Sequence, residues 1–232
     1  MVQVNNLPYV TLRIKFKKVG RLQYISHLDL VRTMHKILVR SKLPMWYTEG
    51  FNPKPKMVFA APLSIGAESL CEFMDIRLTE KIPPHEVKAI LNKNMTDEMQ
   101  VIEAYYPREK FAELKWLSYT MTIKSNQNSL EFADKCNELF AKSEIFVLKK
   151  TKSGEQSVNI KPLIHSAKAE FLDGLINLDL VLSADQSYFL NPEYIADALR
   201  DAFGIFKEEN LTTEYYTILR KTAHKADMSE FR

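Results

Sequence analysis

VTLRIKFKK (residues 10–18) alternates Val10, Leu12, Ile14 and Phe16 with Thr11, Arg13, Lys15 and Lys17. A period of two marks a half-buried strand, here with an apolar set turned to a core and a strongly basic set turned outward. A turn at Gly20 follows, and LQYIS reads as a continuation of the extended chain. Ser26 then stands where a helix N-cap belongs, with Asp29 in the first turn. Leu28, Val31, Ile37 and Leu38, with Met34 at the edge, form the apolar stripe of a helix reaching to about Lys42 and stopped by Pro44.

Outward from this strand and helix the pattern continues. MWYTE is a short extended piece leading into EGFNPKPKMVF (49–59), where Pro53 and Pro55 bracket Lys54. Each proline fixes its own φ, lacks an N–H and pushes the preceding residue towards extended geometry, so Asn52 to Lys56 should be stiff and unable to join a sheet ladder. KMVFAAPLS and CEFMDIRLTE read as two strands paired around the Ile65-Gly66 region. IPPHEVKAILNKN carries prolines suited to a helix start, and QVIEAYYP reads as a closing strand. The order is β-α-β-β-α-β.

PREKFAELK (107–115) is a charged connector, which sets the expected boundaries: an N-terminal basic domain over 1–106, a connector over 107–116 and a second domain over 117–232. In the second half LSYTMTIKS reads as strand and SLEFADKCNELFAKS as helix. IFVLKKT, SVNIKPLI, SAKAEFL and LINLDLVLS read as strands, with turns at Ser153-Gly154 and Asp173-Gly174. A helix capped by Asn191, with Pro192 at its first position and Gly204 past its end, precedes the strand EYYTILRKT. The expected class is α+β, two tandem ferredoxin-like (β-α-β-β-α-β) domains with antiparallel sheets and right-handed crossovers. The duplication rests on element order alone, because no sequence-level repeat is evident.

At 232 residues and 46% hydrophobic content the chain can build a sizeable core. No apolar run approaches the ~18 residues of a membrane span, and MVQVNNLPYV lacks a basic region followed by an apolar one, so a cytoplasmic protein is expected. Cys71 and Cys136 are the only cysteines and read as buried thiols, which leaves no disulfide framework and no iron–sulfur or cysteine-rich metal site. His85, His165 and His224 show no metal-ligand spacing, and no HExxH, P-loop or GxGxxG pattern is present. The expectation is that this chain carries no cofactor. Residues 1–60 hold eleven basic against two acidic residues, a local net charge of +9 that leaves −6 for the remainder of a chain whose total is +3.

Arg32, Lys36 and Arg40 recur every four residues and so lie along one side of the first helix, with His35 close by. The same sixty residues carry the basic strand face of Arg13 and Lys15, Arg21 beyond the turn, and a rigid loop bearing Phe51, Asn52, Lys54 and Lys56. Cations attract phosphates irrespective of sequence, and an exposed aromatic can stack on an unpaired base for ~1–3 kcal/mol. That combination suits single-stranded or looped RNA better than duplex DNA. Ser26-His27-x-Asp29 suggests a catalytic triad, but residues this close within one helical turn cannot form that relay, and a capped helix start is the better reading. His27 and His35 as acid and base for metal-independent RNA cleavage remain a weaker alternative, with His27 the weak candidate catalytic residue.

Residues 13–69 closely resemble the bacterial radical-SAM-linked family of uncharacterised proteins. The family's hallmark is a G-R-hydrophobic-x-[FY]-[LI]-S-H-L-D segment, followed by EGFNPxPK and a PLxxG strand. Here these stand as Gly20 to Asp29, Glu49 to Lys56, and Pro62-Leu63-Ser64-Ile65-Gly66. The resemblance implies an accessory protein that sits beside, or is fused to, a radical S-adenosylmethionine protein carrying the iron–sulfur cysteines. This chain has no such cysteine triplet, so the cluster would belong to the partner. The leading expectation is a non-catalytic module that presents RNA or an RNA-bearing substrate to that partner; the alternatives are a nuclease using His27 and a module that docks protein alone.

Overall fold

A computed structural model describes residues 9–151, 154–207 and 213–232 of the chain. It divides into two compact units, Met1–Phe111 with Arg232, and Ala112–Phe231, a division that falls within the charged segment 107–116. Both mix helices with antiparallel sheet, an α+β architecture.

The first unit runs β1 (Val10–Lys18), α1 (His27–Ser41), β2 (Met57–Phe59), β3 (Ala67–Leu78), α2 (Pro84–Asn92) and β4 (Val101–Tyr105). Its strands lie in the order β4-β1-β3-β2, every neighbour antiparallel. Leu12, Ile14 and Phe16 of β1 are fully buried, as their alternation predicts. They meet Met74, Ile76 and Leu78 of β3 and the inner faces of α1 and α2. The buried line of α1 is Leu30, Met34, Ile37 and Leu38, spaced i, i+4, i+7, i+8. The expected stripe is therefore corrected in phase: Leu28 is 58% exposed in the first turn, and Met34 is central rather than marginal. Each of the four contributes roughly 1.5–3 kcal/mol on burial.

Two other expectations change. LQYIS does not extend β1; Gly20–Tyr24 forms a 3-10 turn, opened by Gly20 at φ 62, where a Cβ would stand 2.6 Å from Glu98 Oε1. The outer face of β1 is not uniformly open, because Arg13 is 1% exposed. The bulge between Phe16 and Lys18 in the β1–β3 register has its extra residue in β3, since Phe16 stands opposite Glu72 and Lys18 opposite Ser69, so β1 keeps its alternation and Lys18 is buried in phase with Phe16. Its ammonium donates to the carbonyls of Leu22, Gln23 and Ala67.

The second unit runs β5 (Trp116–Lys124), α3 (Leu130–Ala141), β6 (Phe146–Thr151), β7 (Gly154–Asn159), β8 (Ile164–Leu172), β9 (Leu175–Ser183), α4 (Glu193–Phe203) and β10 (Tyr215–His224). Four strands pair antiparallel in the order β10-β5-β9-β8, while β6 and β7 form a separate hairpin. Of the expected turn at Ser153-Gly154, Ser153 lies outside the described residues. SVNIKPLI is not one strand: β7 stops at Asn159, and Lys161–Leu163 forms a 3-10 turn containing Pro162. Leu117, Tyr119, Met121 and Ile123 of β5 pack inward with Ile176, Leu178, Leu180 and Leu182 of β9, a strict period of two on both strands. Asn191 does cap α4, its Oδ1 accepting the Glu193 N–H at 3.2 Å. Gly204 ends the helix in the left-handed conformation, φ 67.

Candidate nucleic-acid interface

α1 begins with a closed capping arrangement. Ser26 Oγ accepts the Asp29 N–H at 3.1 Å and donates to Asp29 Oδ2 at 2.7 Å, so these two side chains satisfy each other and the helix start. His27, the first helical residue, is exposed and sets its ring edge-on to Phe59 at 5.4 Å. From the cap the helix rises ~6 Å every four residues, which lines up Arg32, Lys36 and Arg40 on one exposed side. Arg32 is partly engaged by Asp29 at 3.0 Å. Lys36 and Arg40 have no ion-pair partner among the described residues.

The proline segment comes to lie against this helix. Thr48 N–H donates to the Lys54 carbonyl at 2.9 Å, Lys54 N–H to Thr48 Oγ1 at 3.1 Å, and Lys56 N–H to the Trp46 carbonyl at 2.9 Å. Tyr47 and Pro55 form an isolated antiparallel bridge. The expectation that Asn52–Lys56 cannot join a ladder is thus corrected. The prolines alternate with Lys54 and Lys56, and it is the lysine N–H groups that face the partner segment, so no bond is lost at either proline. Pro55 is buried, whereas Phe51, Asn52, Pro53 and Lys54 remain exposed at the loop's tip and near side.

Between helix and loop lies a groove of about 500 Å³. α1 supplies Arg32, His35, Lys36, Val39 and Arg40, and the loop supplies Pro53, Lys54 and Pro55. His35 and Pro55 face the groove from its two walls, and the Pro55 carbonyl favours the protonated form of the ring. Burial, reinforced by the Lys54 ammonium, pulls the His35 pKa below the ordinary 6.5 against the opposing effect of the Pro55 carbonyl. The groove joins apolar walls to four cations and one imidazole ring. Such a surface can hold several negative charges at helical spacing.

The residues expected to contact RNA divide accordingly. Arg32, Lys36, Arg40 and Lys54 converge on the groove. Phe51, Asn52 and Lys56 belong to the same loop without lining it, Phe51 standing fully in solvent. Arg21 lies on the 3-10 turn, its side chain 94% exposed and 3.9 Å from Glu98. Lys15 is half-buried, its ammonium 6.0 Å from the centre of the Phe73 ring. Arg13 is a correction. Its guanidinium grips Asp75 at 2.7 and 2.9 Å, donates to the Arg232 carbonyl and lies 4.2 Å over the Phe111 ring, which removes it from any binding face. Sequence reasoning missed Val39, gave Pro53 a stiffening role only, and considered His35 only as an acid or base for cleavage. The signal was present in the helical spacing, since His35 and Val39 fall three residues after Arg32 and Lys36.

Residues 11–192 match a family described as uncharacterized protein conserved in bacteria, DUF2344. The chain belongs to this family. The matched span contains the whole groove. No curated protein matches. The crystal structure of an unknown protein from Galdieria sulphuraria aligns over 92% of this chain and 99% of that one, at 9% identity and a TM-score of 0.26. Among the described residues no three His, Cys, Asp or Glu side chains gather as a metal site, and no helix is long and apolar enough to cross a membrane. Both cysteines are buried, and burial pushes the Cys136 thiol up to about 12.

Proposed function

We propose that this member of the family is a non-catalytic accessory module that holds RNA, or an RNA-bearing substrate, in the groove between α1 and the 49–56 loop and presents it to a radical SAM protein. The observation carrying the RNA reading is the convergence of Arg32, Lys36, Arg40 and Lys54 from two separate segments on one groove, with Phe51 exposed on the same loop. Phosphates along an extended strand repeat at a spacing comparable to one helical turn, so successive phosphates can meet successive cations, and an unpaired base can stack on Phe51. A loop already bonded to Trp46, Tyr47 and Thr48 loses little further freedom on binding. The radical SAM partnership rests on the resemblance of residues 13–69. The reading of both units as ferredoxin-like is supported by the shared order, strand, helix, two strands, helix, strand, once the β6–β7 hairpin is set aside. His27 packs on Phe59 and does not line the groove, so the nuclease alternative would have to work there with His35 alone.

The test is binding of a labelled total-tRNA pool by the intact protein and by an Arg40→Glu/Lys54→Glu/Lys56→Glu variant. The expected result is loss of tight binding in the variant with an unchanged unfolding midpoint. Equal binding by both proteins overturns the RNA reading and leaves the surface as a docking face for protein.

A further inference from the structure

The second unit carries a separate depression of about 340 Å³ at the end of its sheet where β5 begins and β9 ends. Trp116 and Tyr188 contribute aromatic surface, Pro162, Leu163 and Ala226 contribute apolar surface, and Lys115 and Asp185 contribute one donor and one acceptor side by side, 2.5 Å apart. Backbone hydrogen bonds hold the wall. Lys115 donates its N–H to the His224 carbonyl and accepts the Ala184 N–H at its own carbonyl. A bulge in β8 between Ile164 and Ser166 brings His165 against the Trp116 ring at 5.1 Å, so the indole is supported from one side. Tyr188 is set by a turn in which its N–H donates to the Asp185 carbonyl and the Ser187 N–H donates to Asp185 Oδ1. It is nevertheless 68% exposed, and its hydroxyl has no hydrogen-bond partner among the described residues.

A large aromatic held in place by its own turn, yet left open beside a second aromatic, offers stacking surface for a flat ring. The adjacent Lys115 and Asp185 add a requirement, because a purely hydrocarbon ring would desolvate them without replacing their hydrogen bonds. We propose that this depression takes a single unpaired nucleobase, its ring stacked on Trp116 and Tyr188 and its polar edge facing Lys115 and Asp185. The edge of every nucleobase sets a donor beside an acceptor, which matches an ammonium beside a carboxylate. This site is independent of the phosphate-binding groove in the first unit and stands or falls without it.

The chain contains two tryptophans, so a Trp46→Phe background leaves Trp116 as the sole indole reporter. Uncharged nucleosides are the probe, since they carry no phosphate for the groove to hold. Titration of guanosine, adenosine, cytidine and uridine is expected to quench Trp116 fluorescence saturably for at least one of them. Tyr188→Ala is expected to weaken that affinity about tenfold or more through loss of one stacking face, while Tyr188→Phe retains it and Lys36→Glu/Arg40→Glu leaves it unaltered. Tyr188 is exposed in a turn, and equal unfolding midpoints establish that its variants fold. Quenching that stays linear in nucleoside, equal affinity in Tyr188→Ala, or saturable binding of N-acetylphenylalanine amide in place of nucleosides would each overturn the proposal, the last in favour of a peptide site.

Discussion

Arg13 and Lys36 carry the same charge and have opposite roles. Arg13 is buried with Asp75 as its bidentate partner, and removing one member of such a pair leaves a charge without compensation. Arg13→Ala is expected to cost about 3 kcal/mol in denaturant unfolding, with RNA affinity unchanged wherever the protein is folded. Lys36→Ala should leave stability within about 0.5 kcal/mol and reduce affinity several-fold. Strand alternation identified the face on which Arg13 sits, but what covers that face, Phe111 and the carbonyl of Arg232, comes from far along the chain and leaves no local trace. His35 supplies a pH prediction. Its folded-state pKa lies below 6.5, so the unfolded chain binds the extra proton and the stability tied to the neutral ring, present above pH 6.5, is lost as pH falls through the folded value. A phosphate bound beside the ring reverses the preference, because an anion favours the imidazolium. His35 is the one histidine among the groove-lining residues. RNA affinity should therefore rise as the pH is lowered from about 8 to about 6, and His35→Gln should flatten that rise; an identical pH profile in the variant contradicts the assignment.

At the scale of elements, α1 and the 49–56 loop show what could be read locally and what could not. The cap at Ser26, the line of Arg32, Lys36 and Arg40, and the stiffness of the proline segment follow from residue types and spacing. That the loop folds back onto α1 does not, since it depends on the Trp46–Lys56 and Thr48–Lys54 backbone pairs and on Pro55 coming to face His35 across the groove, choices that residue types alone do not make. The phase of α1 was misread at Leu28 because a first-turn leucine fits the hydrophobic pattern without having a turn of helix beneath it to bury against. Pro53 is exposed and its amide takes no part in the backbone pairing, so Pro53→Ala changes loop freedom and little else. It should weaken RNA binding about threefold, or ~0.6 kcal/mol, with no change in salt dependence, as read by titration at two ionic strengths. A loss as large as that caused by removing Lys54 would show that Pro53 itself makes the contact.

For the whole molecule, charge asymmetry was the most informative quantity in the sequence. A local +9 within a total of +3 singled out the first sixty residues, and the groove lies within them. The strand-and-helix order of each unit was also legible, whereas the strand order β4-β1-β3-β2 and the exclusion of β6–β7 from the second unit's sheet are tertiary outcomes that element order only restricts. If the groove holds phosphates, binding must release counterions in proportion to the cations engaged. The decisive measurement is the slope of log affinity against log salt for a single-stranded RNA. With Arg32, Lys36, Arg40 and Lys54 engaged the slope should be roughly −3, and Lys36→Gln/Arg40→Gln should bring it to about −1.4. A slope near zero, or one the double variant leaves unchanged, would contradict the account.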